Sequence, residues 1–153
     1  MRYNILSVAV LLFIATSGAF AASTADSLKQ QRSRINKAIT ERNALLDRIH
    51  FTGHNGDSVQ LASINASELT VVYALQALET VIELVRPDAR QKSGRSQGGL
   101  GGVGEPMQMV CQLQVDQMDS DSAELEDSRI REEVEKQIEN VRAACGAIAA
   151  ATN

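Results

Sequence analysis

The sequence predicts an all-α protein: a small antiparallel helical bundle of three to four helices, with one disulfide, after a cleaved signal peptide. Three observations predict it. Apolar residues recur at helical spacing through most of the chain, and no stretch of useful length alternates as a strand does. The two cysteines, Cys111 and Cys145, follow an export-type N-terminus, and an even count in an oxidising compartment favours a disulfide. Aromatic residues are nearly absent, so the core is built from Leu, Ile, Val, Ala and Met.

The N-terminus sets the compartment. Met1-Arg2-Tyr3-Asn4 is a short, positively charged start, and Ile5 to Ala15 is an apolar run. That run falls short of the roughly 20 residues of a membrane span. Ala19-Phe20-Ala21 is a small-x-small exit. Residues 1–21 therefore read as a signal peptide, with cleavage after Ala21 and Ala22 as the neighbouring choice. The expected location is the periplasm, or the outside of the cell. Removing 21 of the 153 residues leaves 132, enough for one helical domain over residues 22–153. Arg2 is the only charge lost, so the net charge moves from −4 to −5. Tyr3, Phe13 and Phe20 leave with the leader, and Phe51 and Tyr73 are the aromatics that remain. An acidic chain without stacking aromatics is not a nucleic-acid binder. No later stretch is apolar enough to span a membrane, and long amphipathic helices allow a homo-oligomer without demanding one.

Residues 24–51 read as the first helix. Leu28, Ile35, Ala38, Leu45 and Ile49 recur at helical spacing, with Gln31 and Arg42 at the missing seam positions. Thr24 or Asp26 is the expected cap, and the glycines and asparagine of 52–56 end the helix. A second helix runs from Asp57 or Ser58 to about Val85. Leu61, Ile64, Val71, Val72, Leu75, Leu78, Ile82 and Val85 form a broad face. Ala62, Ala66, Ala74 and Ala77 would let neighbours approach closely. As the most hydrophobic helix after the leader, it is expected at the centre. Pro87 stops it, because the residue before a proline leaves helical geometry.

Residues 86–105 carry six of the ten glycines and no apolar periodicity, the composition of a flexible loop joining two helical pairs. Pro106 suits the first position of a third helix, lined by Met107, Val110, Cys111, Gln114 and Met118. Asp119-Ser120-Asp121-Ser122 offers capping residues, and Asp121 with Glu124 resembles a capping box. In the final helix Ile130, Val134, Ile138, Val141, Cys145 and Ile148 share one stripe. Arg131–Glu135 and Glu132–Lys136 are expected to pair across its outer face.

The cysteines decide where the last two helices turn. Residues facing each other across a helical hairpin are equidistant from its turn, and the midpoint of 111 and 145 is 128. A turn at 119–122 would separate the cysteines by roughly 20 Å along the axis, beyond the ~7 Å limit on Cα separation. The third helix therefore continues past 119–122, with a kink there at most, and the sharp turn falls near 124–128.

Two catalytic signatures overlap in GRSQGGLGGVG, residues 94–104. Gly94-Arg95-Ser96-Gln97-Gly98 matches G-x-S-x-G, whose serine works at a strained strand-to-helix turn. No strand precedes it, and the chain's histidines, His50 and His54, both come before Ser96 rather than after. Gly99 to Gly104 matches G-x-G-x-x-G, which opens a strand–turn–helix unit. The strand is again missing. His50 and His54, four apart, could place two imidazoles on one face for a metal, but Gly53 interrupts them and no third ligand is specified. Met107, Met109 and Cys111 suggest soft-metal ligands, yet residues two apart on a helix diverge. Asp119-x-Asp121 lacks the remaining ligands of a calcium loop.

The positive signal left is basic. Arg86, Arg90, Lys92 and Arg95 cluster ahead of the glycines and are candidates for docking an acidic partner. No enzymatic signature survives and no cofactor is implied. The chain is expected to act by protein–protein binding: as an accessory subunit of an envelope or secretion assembly, a chaperone, or an inhibitor or immunity protein. A metal-binding role through His50 and His54 is the alternative reading, and a hydrolase through Ser96 ranks below both.

Overall fold

The computed structural model describes residues 4–49, 51, 56–85 and 103–152, with side chains described from Thr24 onward. Four helices pack against one another: α1 (Asn4–Arg48), α2 (Asp57–Val85), α3 (Gly104–Glu124) and α4 (Ser128–Thr152). No strand occurs among the described residues. No helix among them is long and apolar enough to cross a membrane.

The helices form a ring in which α1 contacts α2 and α4, α3 contacts α2 and α4, and α2 also meets α4 across the middle. Neighbours run antiparallel. Lys29 and Arg32 of α1 meet Glu83 and Glu79 of α2, while Arg42 meets Glu68. The start of α2 lies at the end of α3, where Gln60 donates to Glu124 at 2.9 Å. The core is aliphatic: Leu28 and Ile35 from α1, Ile64, Leu75 and Leu78 from α2, Met118 from α3, and Ile130, Val134 and Ile148 from α4 are all buried.

Cys111 and Cys145 form a disulfide with a Cα separation of 5.6 Å, tying α3 to α4. The turn between them spans 125–127, where the cysteine midpoint puts it. The helix α3 passes through 119–122 without a break. Asp121 and Ser122 are buried inside it rather than capping a new helix. The carboxylate that caps α4 is Asp127, which accepts the backbone N–H of Arg129 at 2.9 Å and of Ile130 at 3.4 Å. A hydrogen bond from the Arg129 side chain is the chief cause that lowers its carboxyl to about 2. Leu125 fills the core beneath the turn, and its carbonyl accepts both Nε and Nη2 of Arg131. That contact takes Arg131 away from the expected pairing with Glu135. The Glu132–Lys136 pair forms at 3.2 Å.

In the uncleaved chain α1 runs on from Asn4, and the start at Thr24 or Asp26 is an expectation for the chain after cleavage. One other expectation changes. The helix α3 begins at Gly104, two residues ahead of Pro106, which still sits in the first turn where its missing N–H costs nothing. The helix α2 reaches each of the other three, in keeping with the central place expected of it. In a ring of four, every helix has an outer face, and that of α2 is open to solvent.

Arg42 holds the seam position that its spacing predicts, 2% exposed. Its Nη1 lies 2.6 Å from Gln137 Oε1 of α4 and 2.7 Å from Glu68 Oε2 of α2, and its Nη2 donates to Asn65 Oδ1 at 3.1 Å. Gln137 Nε2 donates in turn to the Ala38 carbonyl at 3.0 Å. Glu68 is fully buried, and its Oε1 accepts no hydrogen bond among the described residues. Burial raises the Glu68 pKa above its ordinary 4.5, and the Arg42 charge offsets this only in part.

The two ends of this pair should respond differently to truncation. Arg42→Met strands a buried carboxylate and should cost roughly 3–5 kcal/mol, whereas Glu68→Gln should cost distinctly less at neutral pH. Because the folded pKa of Glu68 lies above its unfolded value, its contribution to stability is greatest below pH 4.5 and is lost as pH rises through the folded pKa. Urea midpoints of the parent chain and Glu68→Gln should therefore diverge in favour of the variant between pH 4.5 and pH 8. A constant difference across that range would contradict this account.

Candidate docking face

Several residues singled out by sequence lie outside the described residues: His50, His54, Arg86, Arg90, Lys92, Arg95 and Ser96. Among the described residues no group of three or more His, Cys, Asp or Glu side chains is placed to hold a metal ion. One member of the glycine signature is described, and it has a packing role. At Gly104, a Cβ would lie 2.6 Å from Thr152 Cβ. The start of α3 thus crosses the end of α4 at a distance that only glycine allows. Thr152 completes the junction, its Oγ1 accepting Gln108 Nε2 at 2.9 Å.

The two sides of the bundle differ in chemistry. Between α3 and α4 lies a groove lined by Asp119, Glu132, Glu135, Lys136, Glu139 and Arg142. Its charges are largely paired with each other: Arg142 reaches Asp119 at 2.6 Å and also contacts Glu139, and Lys136 contacts Glu132 and Glu133. Such a face is a solvated helix surface.

The outer face of α2 is different. Its four charged residues are all acidic, and all are drawn inward or to the α1 side. Asp57 is buried, accepting the backbone N–H of Glu126 at 2.8 Å and of Asp127 at 3.1 Å in the α3–α4 turn. Glu68 lies against Arg42, Glu79 takes both oxygens to Arg32 at 2.9 and 3.0 Å, and Glu83 meets Lys29 at 3.2 Å. What faces solvent on the side away from the bundle is Val59, Ala62, Ala66, Tyr73, Ala77, Thr80 and Leu84, with no charge among them; the exposed Ser58 and Gln76 and the half-exposed Glu83 border this stripe. Val59, Tyr73 and Leu84 are 65–69% exposed. Beside them, α3 presents Met109, Val110 and Leu113, also exposed. Val110 thus leaves the inward side expected of it, and Val115, one turn on from Cys111, takes a core position. Ala62, Ala66 and Ala77, expected to admit neighbouring helices, are exposed.

Sequence reasoning does not single out this face, because a helix expected at the centre gives no cue to which of its sides stays open. The signal is nonetheless present. Asp57, Glu68 and Glu79 are spaced by eleven residues, three helical turns, which places all three on one side of the helix. The opposite side is left without charge. Contiguous exposed apolar surface, with a tyrosine in it, is the composition of an interaction site.

No family model matches this chain, and no curated protein or solved structure matches it.

The glycine assignment gives a test by sign. Gly104→Ala should destabilise by roughly 1–3 kcal/mol through its clash with Thr152. Gly146→Ala, where a Cβ meets nothing within 4 Å, should stabilise by about 0.5–1 kcal/mol through helix propensity. Thermal or urea unfolding of both variants reads the two signs, and equal effects would refute the close-approach role of Gly104.

Proposed function

We propose that this chain is an exported helical protein that works by binding another protein through the uncharged outer face of α2 and the adjoining apolar residues of α3. The roles that fit are an accessory subunit of an envelope or secretion assembly, a chaperone, or an inhibitor or immunity protein. The observation that carries this reading is the disposition of charge on α2. Every acidic side chain of the helix serves a contact within the bundle, and the face left to solvent holds Val59, Tyr73 and Leu84 among alanines. Water is a poor partner for such a face, and a protein surface is a good one. The disulfide between α3 and α4 and the leader-like N-terminus support export.

Site-specific photocrosslinking in the native envelope tests the reading. A photoreactive phenylalanine analogue at Tyr73 should give a discrete protein adduct. The same group at Glu135, on the charged face, should give none. Absence of an adduct at 73, or equal labelling at both positions, would remove the α2 face as the binding surface.

A further inference from the structure

The outer stripe of α2 reads alike from both ends. Val59 and Leu84 close it, Ala62 stands opposite the half-buried Val81 and the exposed Thr80 opposite the half-buried Ser63, then Ala66 opposite Ala77, and the half-buried Thr70 and the exposed Tyr73 flank the middle. Each pair is equidistant from one point between Val71 and Val72, close to the centre of the helix. We infer that α2 packs antiparallel against α2 of a second copy of this chain, about a twofold axis at that point. The inference rests on the reading of the α2 face as the docking face and names its occupant.

A twofold interface must be complementary to itself, each contact occurring twice. In this register Val59 meets Leu84 of the copy at both ends, so apolar ends cover apolar ends. Ala66 meets Ala77 of the copy, small against small, which lets the two helix axes approach to about 8 Å. Tyr73 lies over Thr70 of the copy, where its ring covers the methyl and its hydroxyl stays at the rim. Full overlap of the two helices follows, with neither end left hanging.

Charge selects the same surface. The chain carries a net charge of −4, and a twofold axis brings each surface group towards its own copy. On α4 this would set Glu132, Glu135 and Glu139 against carboxylates. The α2 stripe has no carboxylate to repel.

From Val59 to Leu84 the stripe is about 37 Å long and one helix, about 10 Å, wide, broadened at one end by Met109, Val110 and Leu113 of α3, which places a self-paired interface at the small end of the size range of specific dimers. The large exposed side chains Met109 and Leu113 border it.

Sedimentation and crosslinking of the purified chain decide the matter. The parent protein should sediment as a dimer. Ala66→Glu and Ala77→Glu should each weaken association by roughly 100-fold or more, since each buries two unpaired carboxylates. Their far-UV circular dichroism should be unchanged. Ala143→Glu, on the exposed side of α4, should remain dimeric. A mixture of Val59→Cys and Leu84→Cys chains should crosslink with a short bismaleimide, while neither variant alone should, because like positions lie at opposite ends. A monomeric parent, a dimer indifferent to Ala66→Glu, or self-crosslinking of Leu84→Cys alone would each overturn the inference. A monomeric parent together with an envelope adduct at Tyr73 larger than the chain but not twice its mass would overturn self-pairing alone and leave the docking face standing.

Discussion

The bundle is organised around one buried cation. Arg42 brings a full positive charge into an aliphatic interior, where an unpaired ion is costly, and three side chains from two other helices meet it. This fixes more than energy. Aliphatic seams tolerate sliding by a turn, since leucine against isoleucine is much the same one turn along. A guanidinium that must meet Glu68, Asn65 and Gln137 together is satisfied in one register only. The anchoring of Gln137 on the Ala38 carbonyl then sets α4 against α1 at the same level. Arg42 thus does for α1, α2 and α4 what the disulfide does covalently for α3 and α4. Together the two cover all four helices.

The same interaction shapes the surface. Glu68 is in the interior because Arg42 is there; at the helix surface it would be an ordinary solvated carboxylate. Asp57 is likewise committed to the α3–α4 turn, and Glu79 and Glu83 to α1. The helix α2 therefore grips each of its surroundings through a different acidic residue. Its outer face has no charge left to show. The asymmetry between the bare α2–α3 side and the charge-laced α3–α4 groove follows directly from where these four carboxylates are used.

Much of this is legible in the sequence, for identifiable reasons. The 3.6-residue recurrence of Leu28, Ile35 and Ala38 places Arg42 on a seam although its chemistry argues against burial, and periodicity outweighs residue type. The cysteine pair locates the α3–α4 turn more accurately than the capping residues at 119–122 do. A disulfide is a distance constraint, whereas Asp and Ser are preferences that a helix can override when its neighbours hold it straight. The open outer face of α2 is not legible, on physical grounds: a helix rich in Leu, Ile, Val and Ala has much apolar surface, but its composition does not say how much of that surface the same chain covers. The pairing of Arg131 with the Leu125 carbonyl is invisible because it depends on the shape of a three-residue turn. The basic run at Arg86 to Arg95 and the two histidines lie outside the described residues, so the docking face rests on other side chains.

Folding does not ask for an apolar outer stripe on α2. The core of α2 is already supplied by Leu61, Ile64, Val71, Leu75, Leu78 and Ile82, and its register is held by its carboxylates. A solvent-facing helix stripe is ordinarily where Lys, Glu and Arg accumulate, because they favour solubility and cost the fold nothing. Here those positions hold Val59, Tyr73 and Leu84 with alanines and one threonine between, set in pairs about the helix centre. An exposed aromatic and two exposed aliphatics give the monomer no stability and add a tendency to associate. A feature that the isolated chain does not use, and that is arranged in pairs, is accounted for by contact with something outside the chain that has the same arrangement. A second α2, turned end for end, is such a surface.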